Sequence, residues 1–235
     1  MEMIGFSTGA LARSDFRTGL DAMRRFGSRV AELSALRMKE MAPLLDGIDS
    51  LDLSSFEYVS VHAPSSFTAD EEVWLADVLL PLARQGWPIV VHPDTIHSHD
   101  LWVPFGSRLC IENMDKRKPA GRNVAELASV FELLPEASLC FDIAHARQCD
   151  PSMTEAFRIL REFGSRLTQV HMSDVDVASR HVPLTWVAIR AFAEVAELIP
   201  ATVPVILESP VPVAEMEDEV HAALEALGRA VAVVQ

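Results

Sequence analysis

Short apolar runs rich in β-branched residues recur eight times along this chain, each followed by a longer stretch, most of them amphipathic. That alternation restricts the folds open to it more than any other feature. The runs are MIGFS (3–7), RVAELS (29–34), YVSVH (58–62), PIVVH (88–92), RLCIEN (108–113), LCFDIAH (139–145), TQVHMSD (168–174) and PVILES (204–209). They are continuously apolar rather than alternating, as expected of parallel strands covered on both faces.

The stretches between them read as helices. Residues 68–84 open with Thr68 and two acidic residues and carry Val73, Leu75, Ala76, Leu79 and Leu80. Asn123 is a good N-cap for a helix over 124–134, which Pro135 stops. Ser152 can cap 153–163, with Gly164 at its end. Pro183 precedes a segment over 184–199 closed by Pro200, and 215–230 reads as the last helix. The pieces after the first, second and fourth runs are shorter. Eight strands alternating with about eight helices predict an α/β fold, a single (β/α)8 TIM barrel over residues 1–235. An open doubly wound sheet needs a glycine-rich phosphate turn after its first strand, and Ser7-Thr8-Gly9 matches that poorly.

The bulk properties agree. A chain of 235 residues suits one barrel, and 49% hydrophobic with 23% charged residues is ordinary for a globular protein. No apolar run approaches the roughly 20 residues of a membrane span. The opening MEMIGFSTGA has no basic segment followed by an apolar one, so we expect no secretory leader and a cytoplasmic location. The three cysteines, Cys110, Cys140 and Cys149, form no C-x-x-C pair, and Cys110 and Cys140 sit in apolar runs as small core residues. A net charge of −14 disfavours nucleic acid as a partner unless basic residues are concentrated at one place.

Six of the runs finish alike, in a side chain able to bind metal: His62, His92, Glu112, Asp142, His171 and Glu208. In a parallel barrel all strand C-termini open on one face, so these six converge on one mouth. A lone histidine or carboxylate ending a strand is usually structural. Six on one face are different, because gathering carboxylates without cations costs several kcal/mol per ion. We therefore expect a divalent metal site. Carboxylates with imidazoles and no thiolate suit Zn, Mn, Co or Fe(II) better than Ca.

At these residues the chain resembles the xylose isomerase-like TIM barrel superfamily, which holds sugar and sugar-phosphate isomerases and epimerases and also endonuclease IV. The resemblance covers almost the whole chain and implies a metal held by Glu112 in IENMD, Asp142 in FDIAH, His171 in VHMSD and Glu208 in LESP. In the isomerase branch it implies that Glu112 and Glu208 move a proton on a small hydroxy-ketone, with or without a phosphate, while His145 touches the substrate. The resemblance thus spans one to three ions: one in the isomerase branch, two or three in the endonuclease IV branch, where His62, His92 and His145 are added as ligands. His181 fits a third site there, but the aspartate of its D-x-H motif is replaced by Ser179, leaving Asp174 or Asp176 as substitutes. His145, His181 and Asp174 are thus third-metal or substrate-binding candidates. His97 and His99 lie in a loop, and His221 reads as a helix-surface residue.

The loop MDKRKPAGR is the one basic cluster in the chain. Lys116 and Arg117, with Arg147 and Arg180 after later strands, could clamp a phosphate or carboxylate; the alternative is a solvated charge run. The chain is shorter than typical endonuclease IV relatives and lacks a broad positive footprint. These features favour a metal-dependent isomerase or epimerase of small molecules over a di- or trinuclear phosphoesterase, and leave oligomeric state open. A non-catalytic binding module is argued against by the completeness of the Glu-Asp-His-Glu set.

Overall fold

A computed structural model describes residues 3–229. Eight parallel strands close into a barrel: β1 (Ile4–Ser7), β2 (Val30–Ser34), β3 (Tyr58–His62), β4 (Ile89–Val91), β5 (Leu109–Glu112), β6 (Ser138–Asp142), β7 (Leu167–Met172) and β10 (Val205–Leu207). Each pairs in parallel with its sequence neighbour, and β10 closes the ring against β1, with Ile4 opposite Val205. A short antiparallel pair, β8 (Asp174–Val175) and β9 (His181–Val182), sits between β7 and β10.

The helices are α1 (Thr8–Ala12), α2 (Phe16–Phe26), α3 (Met38–Ile48), α4 (Ala69–Arg84), α5 (Val124–Leu133), α6 (Ile143–Cys149), α7 (Thr154–Phe163), α8 (Trp186–Phe192) and α9 (Met216–Ala226). Apolar positions three and four apart turn inward: Leu20 and Met23 on α2, Leu75 and Leu79 on α4, Leu160 and Phe163 on α7 are all buried. Each such side chain contributes roughly 1.5–3 kcal/mol by leaving water. Local signals fix the starts. Thr68 and Glu71 form a reciprocal capping box at α4, and Asn123 Oδ1 accepts from Glu126 N at 3.0 Å at α5. Gly5 is required by close strand approach, since a Cβ there would lie 1.9 Å from the Val30 carbonyl oxygen.

Several expected boundaries move. The sixth strand ends at Asp142, and residues 143–149 form α6, because Asp142 Oδ1 caps it by accepting from His145 N at 2.7 Å. Ser152 does not cap α7. The cap is supplied from further back, by Asp150 Oδ2 accepting from Glu155 N at 2.9 Å, while Met153 adopts φ 60°. The segment 184–199 is not one helix: α8 stops at Phe192, and Ala196–Leu198 continues as a 3-10 turn. That tightening keeps Phe192, Val195 and Ile199 buried together. After β4 come three 3-10 segments in place of an α-helix. The last helix ends at Ala226, and position 230 lies outside the described residues. Among the described residues no helix is long and apolar enough to cross a membrane.

Candidate metal centre

The pleat points alternate residues of each barrel strand inward, so a residue and the one two before it occupy successive layers of the interior. His62, Glu112 and Asp142 end β3, β5 and β6. His171 lies one residue before the end of β7, and His92 and Glu208 immediately follow β4 and β10. Glu112 is the hub. Its Oε2 lies 3.1 Å from His62 Nε2, 3.3 Å from His92 Nε2 and 3.7 Å from His171 Nδ1, and its Oε1 lies 3.2 Å from His145 Nδ1. His171 Nδ1 is 3.6 Å from Glu208 Oε2, and Asp142 Oδ2 is 3.4 Å from His145 Nδ1. Overlapping groups with donor atoms all within 4.8 Å of one another run through His62, His92, Glu112, then Glu112, Asp142, His145, then Asp142, His181, Glu208.

Two atoms test whether a cation fits. Asp142 Oδ2 and His171 Nδ1 are buried and have no hydrogen-bond partner, which costs on the order of 1–3 kcal/mol each unless something else is bound there. Each belongs to donor groups that include Glu112 or Glu208, Asp142 with His145 and with His181, His171 with Glu32 and His62 and with Cys140, and a cation held in such a group would satisfy its unpartnered atom. His92 Nδ1 is likewise unpartnered. Cys140 Sγ lies near Glu112 and His171, where burial pushes its thiol well above the usual range; the other donors of the cluster are all nitrogen and oxygen. That set fits Zn or a similar transition ion.

The electrostatics show the crowding. Burial alone disfavours the charged form of Glu112, yet His92, His145 and His171 hold its carboxyl well below the ordinary carboxylate range. Burial pushes Asp142 up to about 6, with Glu112 and Glu208 adding to the rise and His145 opposing it. Burial works against His145 too, but Asp142 and Glu112 raise it to about 10.

No protein-family model matches the chain, and no curated protein matches it in sequence. Solved structures do match. The IolI protein with a bound zinc atom aligns over 99% of this chain and 100% of its own, with TM-score 0.66 and 12% identity. An L-ribulose 3-epimerase aligns over 95% and 90%, with TM-score 0.55 and 14% identity. A protein described as a sugar phosphate isomerase/epimerase of Anabaena variabilis aligns over 93% and 88%, with TM-score 0.57 and 14% identity. The chain shares the (β/α)8-barrel fold of these proteins.

The mouth of the barrel is a cavity of about 530 Å³, lined among others by His62, His92, Glu112, His145, His181 and Glu208. Asp174 is not brought into it. Its carboxylate is taken up by Arg147 Nη1 at 2.7 Å, Thr185 Oγ1 at 2.5 Å and the backbone N–H of Val175 at 2.8 Å. Asp176 is taken up in the same way by Arg180. His181 is at the mouth, its Nδ1 2.8 Å from Ser173 Oγ and 3.7 Å from Glu208 Oε2.

The expected anion clamp is divided. Arg117 and Arg180 line the cavity but pair with Asp115 and Asp176, and Lys116 and Arg147 line a separate depression beside Gln148 and Pro151. Arg13, which the sequence did not single out, lines the cavity with φ 55° and ψ −120°, and no carboxylate pairs with it among the described residues. His97 is tied to the Phe67 carbonyl and to Glu72, and neither His97 nor His99 joins a ligand group. His221 is exposed on α9.

Sequence reasoning also missed the layer beneath the ligands. Glu32 of β2 is fully buried and within 4.8 Å of His62, His171 and Glu208. Ser60, Gln169 and Tyr58 accompany it. A charged residue in the middle of the apolar run RVAELS was the available signal.

Proposed function

We propose that this protein is a divalent-metal-dependent isomerase or epimerase of a small polyhydroxy carbonyl compound, such as a sugar or sugar phosphate. The observation that carries this is the approach of both Glu112 Oε2 and Glu208 Oε2 to His171 Nδ1, at 3.7 and 3.6 Å, with Asp142 Oδ2 left without a hydrogen-bond partner. Glu112, Asp142, His171 and Glu208 would hold the ion. When bound, a divalent ion supplies polarisation of the substrate carbonyl and stabilises the negative charge that develops on its oxygen.

The chain's own groups do the rest. Glu208 is the more accessible of the two glutamates, its side chain 14% exposed against 2% for Glu112. Its carboxylate takes the proton from the carbon next to the carbonyl, and the electron pair left behind moves onto the carbonyl oxygen. In an isomerisation the same carboxyl returns the proton to the former carbonyl carbon, while the proton of the neighbouring hydroxyl passes to the former carbonyl oxygen and the carbonyl reforms at the neighbouring carbon. In an epimerisation Glu112 delivers a proton from the opposite side. His145 and His181 hydrogen-bond the substrate hydroxyls, and Arg13 meets a phosphate where the substrate carries one.

A second reading, a phosphoesterase with two or three ions, is favoured by one observation: His62 and His92 both direct Nε2 at Glu112 Oε2. Incubation of the zinc- or manganese-loaded protein with a panel of ketoses and ketose phosphates in D2O tests between them. The isomerase reading expects deuterium at a substrate carbon. Hydrolysis of a phosphodiester with no carbon exchange is the result that would replace it with the second reading.

A further inference from the structure

Beneath the ligand cluster the barrel interior is polar where a barrel core is ordinarily apolar. Glu32 Oε2 accepts from Ser60 Oγ at 2.9 Å and from Gln169 Nε2 at 2.8 Å, and lies 3.1 Å from His171 Nε2. Glu32 and His171 are both 0% exposed. A carboxylate so far from water is retained only when several donors converge on it. Packing does not require it, since Val90, Cys110 and Cys140 fill their part of the same interior with small apolar groups.

We propose that Glu32 is a positioning residue for metal binding: by accepting the Nε2 proton of His171 it fixes the imidazole tautomer that leaves Nδ1 free to ligate. Nδ1 is the atom that faces Glu112 and Glu208 and has no partner of its own. Gln169 is the rival for Nε2, with its own Nε2 2.8 Å away. Were the amide to donate to His171, the proton of the neutral ring would sit on Nδ1 and block ligation. Tyr58 fixes which way the amide faces and leaves its nitrogen beside both Glu32 and His171 Nε2, so the tautomer itself is what the test below reads. The Tyr58 hydroxyl donates to Gln169 Oε1 at 2.6 Å, which turns the amide nitrogen toward Glu32, with Cys140 Sγ 3.6 Å away. Turning the amide over would set Gln169 Oε1 against the Glu32 carboxylate. Tyr58, Gln169 and Glu32 therefore form a chain from the base of β3 to the underside of a ligand, and a carboxylate behind a ligating histidine both orients it and raises its basicity.

This inference rests on the metal-binding reading above, and its test reads metal rather than turnover. Zinc is titrated into the metal-stripped full-length protein against a chromophoric chelator, for wild type and Glu32→Gln. Nitrogen-15 NMR of the zinc-loaded wild type identifies which His171 nitrogen carries the proton. The expected results are a proton on Nε2 and a 10- to 100-fold weaker zinc dissociation constant in the folded variant. Zinc on Nε2, or a Glu32→Gln affinity within twofold of wild type, overturns the role of Glu32 and leaves the proposed function standing. Should Glu32→Gln fail to fold, the tautomer in wild type still decides. A wild-type protein that takes up no zinc or other divalent ion overturns both.

Discussion

His62 turns Nε2 to Glu112 Oε2 at 3.1 Å while its Nδ1 is held 2.6 Å from the Ala63 carbonyl oxygen. The backbone contact keeps the proton on Nδ1, so the nitrogen that faces Glu112 is the one able to bind a cation. With a single ion on the Glu112–Asp142–His171–Glu208 side, His62 serves the substrate rather than the metal. His62→Ala is then expected to raise KM several-fold and leave kcat within about threefold in steady-state kinetics. A kcat loss of a hundredfold or more would instead assign His62 to a second ion.

Glu112→Gln and Glu208→Gln keep side-chain size but remove the carboxylates proposed to hold the ion and move the proton. Each is expected to lower kcat by on the order of 10²–10⁴, and Glu208→Gln, which removes the base, to abolish deuterium exchange at the substrate carbon. Mass spectrometry of substrate recovered from D2O checks this. Exchange that persists in Glu208→Gln would move the base to another residue.

Glu72 shapes the loop after β4. Its carboxylate accepts from the backbone N–H groups of His97 and Ser98 and from Trp102 Nε1, each at 2.9 Å, and it is 1% exposed. Glu72→Ala strands these donors, with an expected loss of about 2–4 kcal/mol in urea unfolding. A loss under 1 kcal/mol would show that the loop holds without it.

Asp115 supplies a pH signature away from the cluster. Burial works against its charge, but hydrogen bonds from Arg117 hold it down at about 2, below its ordinary 3.8. A depressed carboxyl contributes stability that is fully present above the unfolded value and is lost as pH falls through the folded one. Asp115→Asn is therefore expected to be less stable than wild type at pH 7, with the gap closing between about pH 4 and pH 2. A gap that stays constant with pH would mean that Arg117 does not act through charge.

The barrel was legible because each strand is covered on both faces and so reads as an unbroken apolar run, and in six of the eight a site residue stands within one residue of the strand's end. Position two residues further back was not legible in the same way. Glu32, Ser60 and Gln169 face the interior only because the barrel closes, and closure is a long-range property that a local pattern does not carry. The clamp failed for a related reason: Arg117 and Arg180 have nearby carboxylates in Asp115 and Asp176 that take up their charge before a substrate arrives. The split after α8 was hidden because 184–199 contains no internal glycine or proline.

The central claim is that side chains from separate strands share one cation. Thermal unfolding of the metal-stripped protein, with and without zinc at about a hundred times its dissociation constant, tests it most directly. Preferential binding to the folded state at that excess adds about 2.7 kcal/mol, or a rise in Tm of roughly 5–10 °C for a chain of this size. The same rise should be absent in Asp142→Asn. A wild-type Tm indifferent to zinc, manganese, cobalt and iron(II) alike would contradict the account.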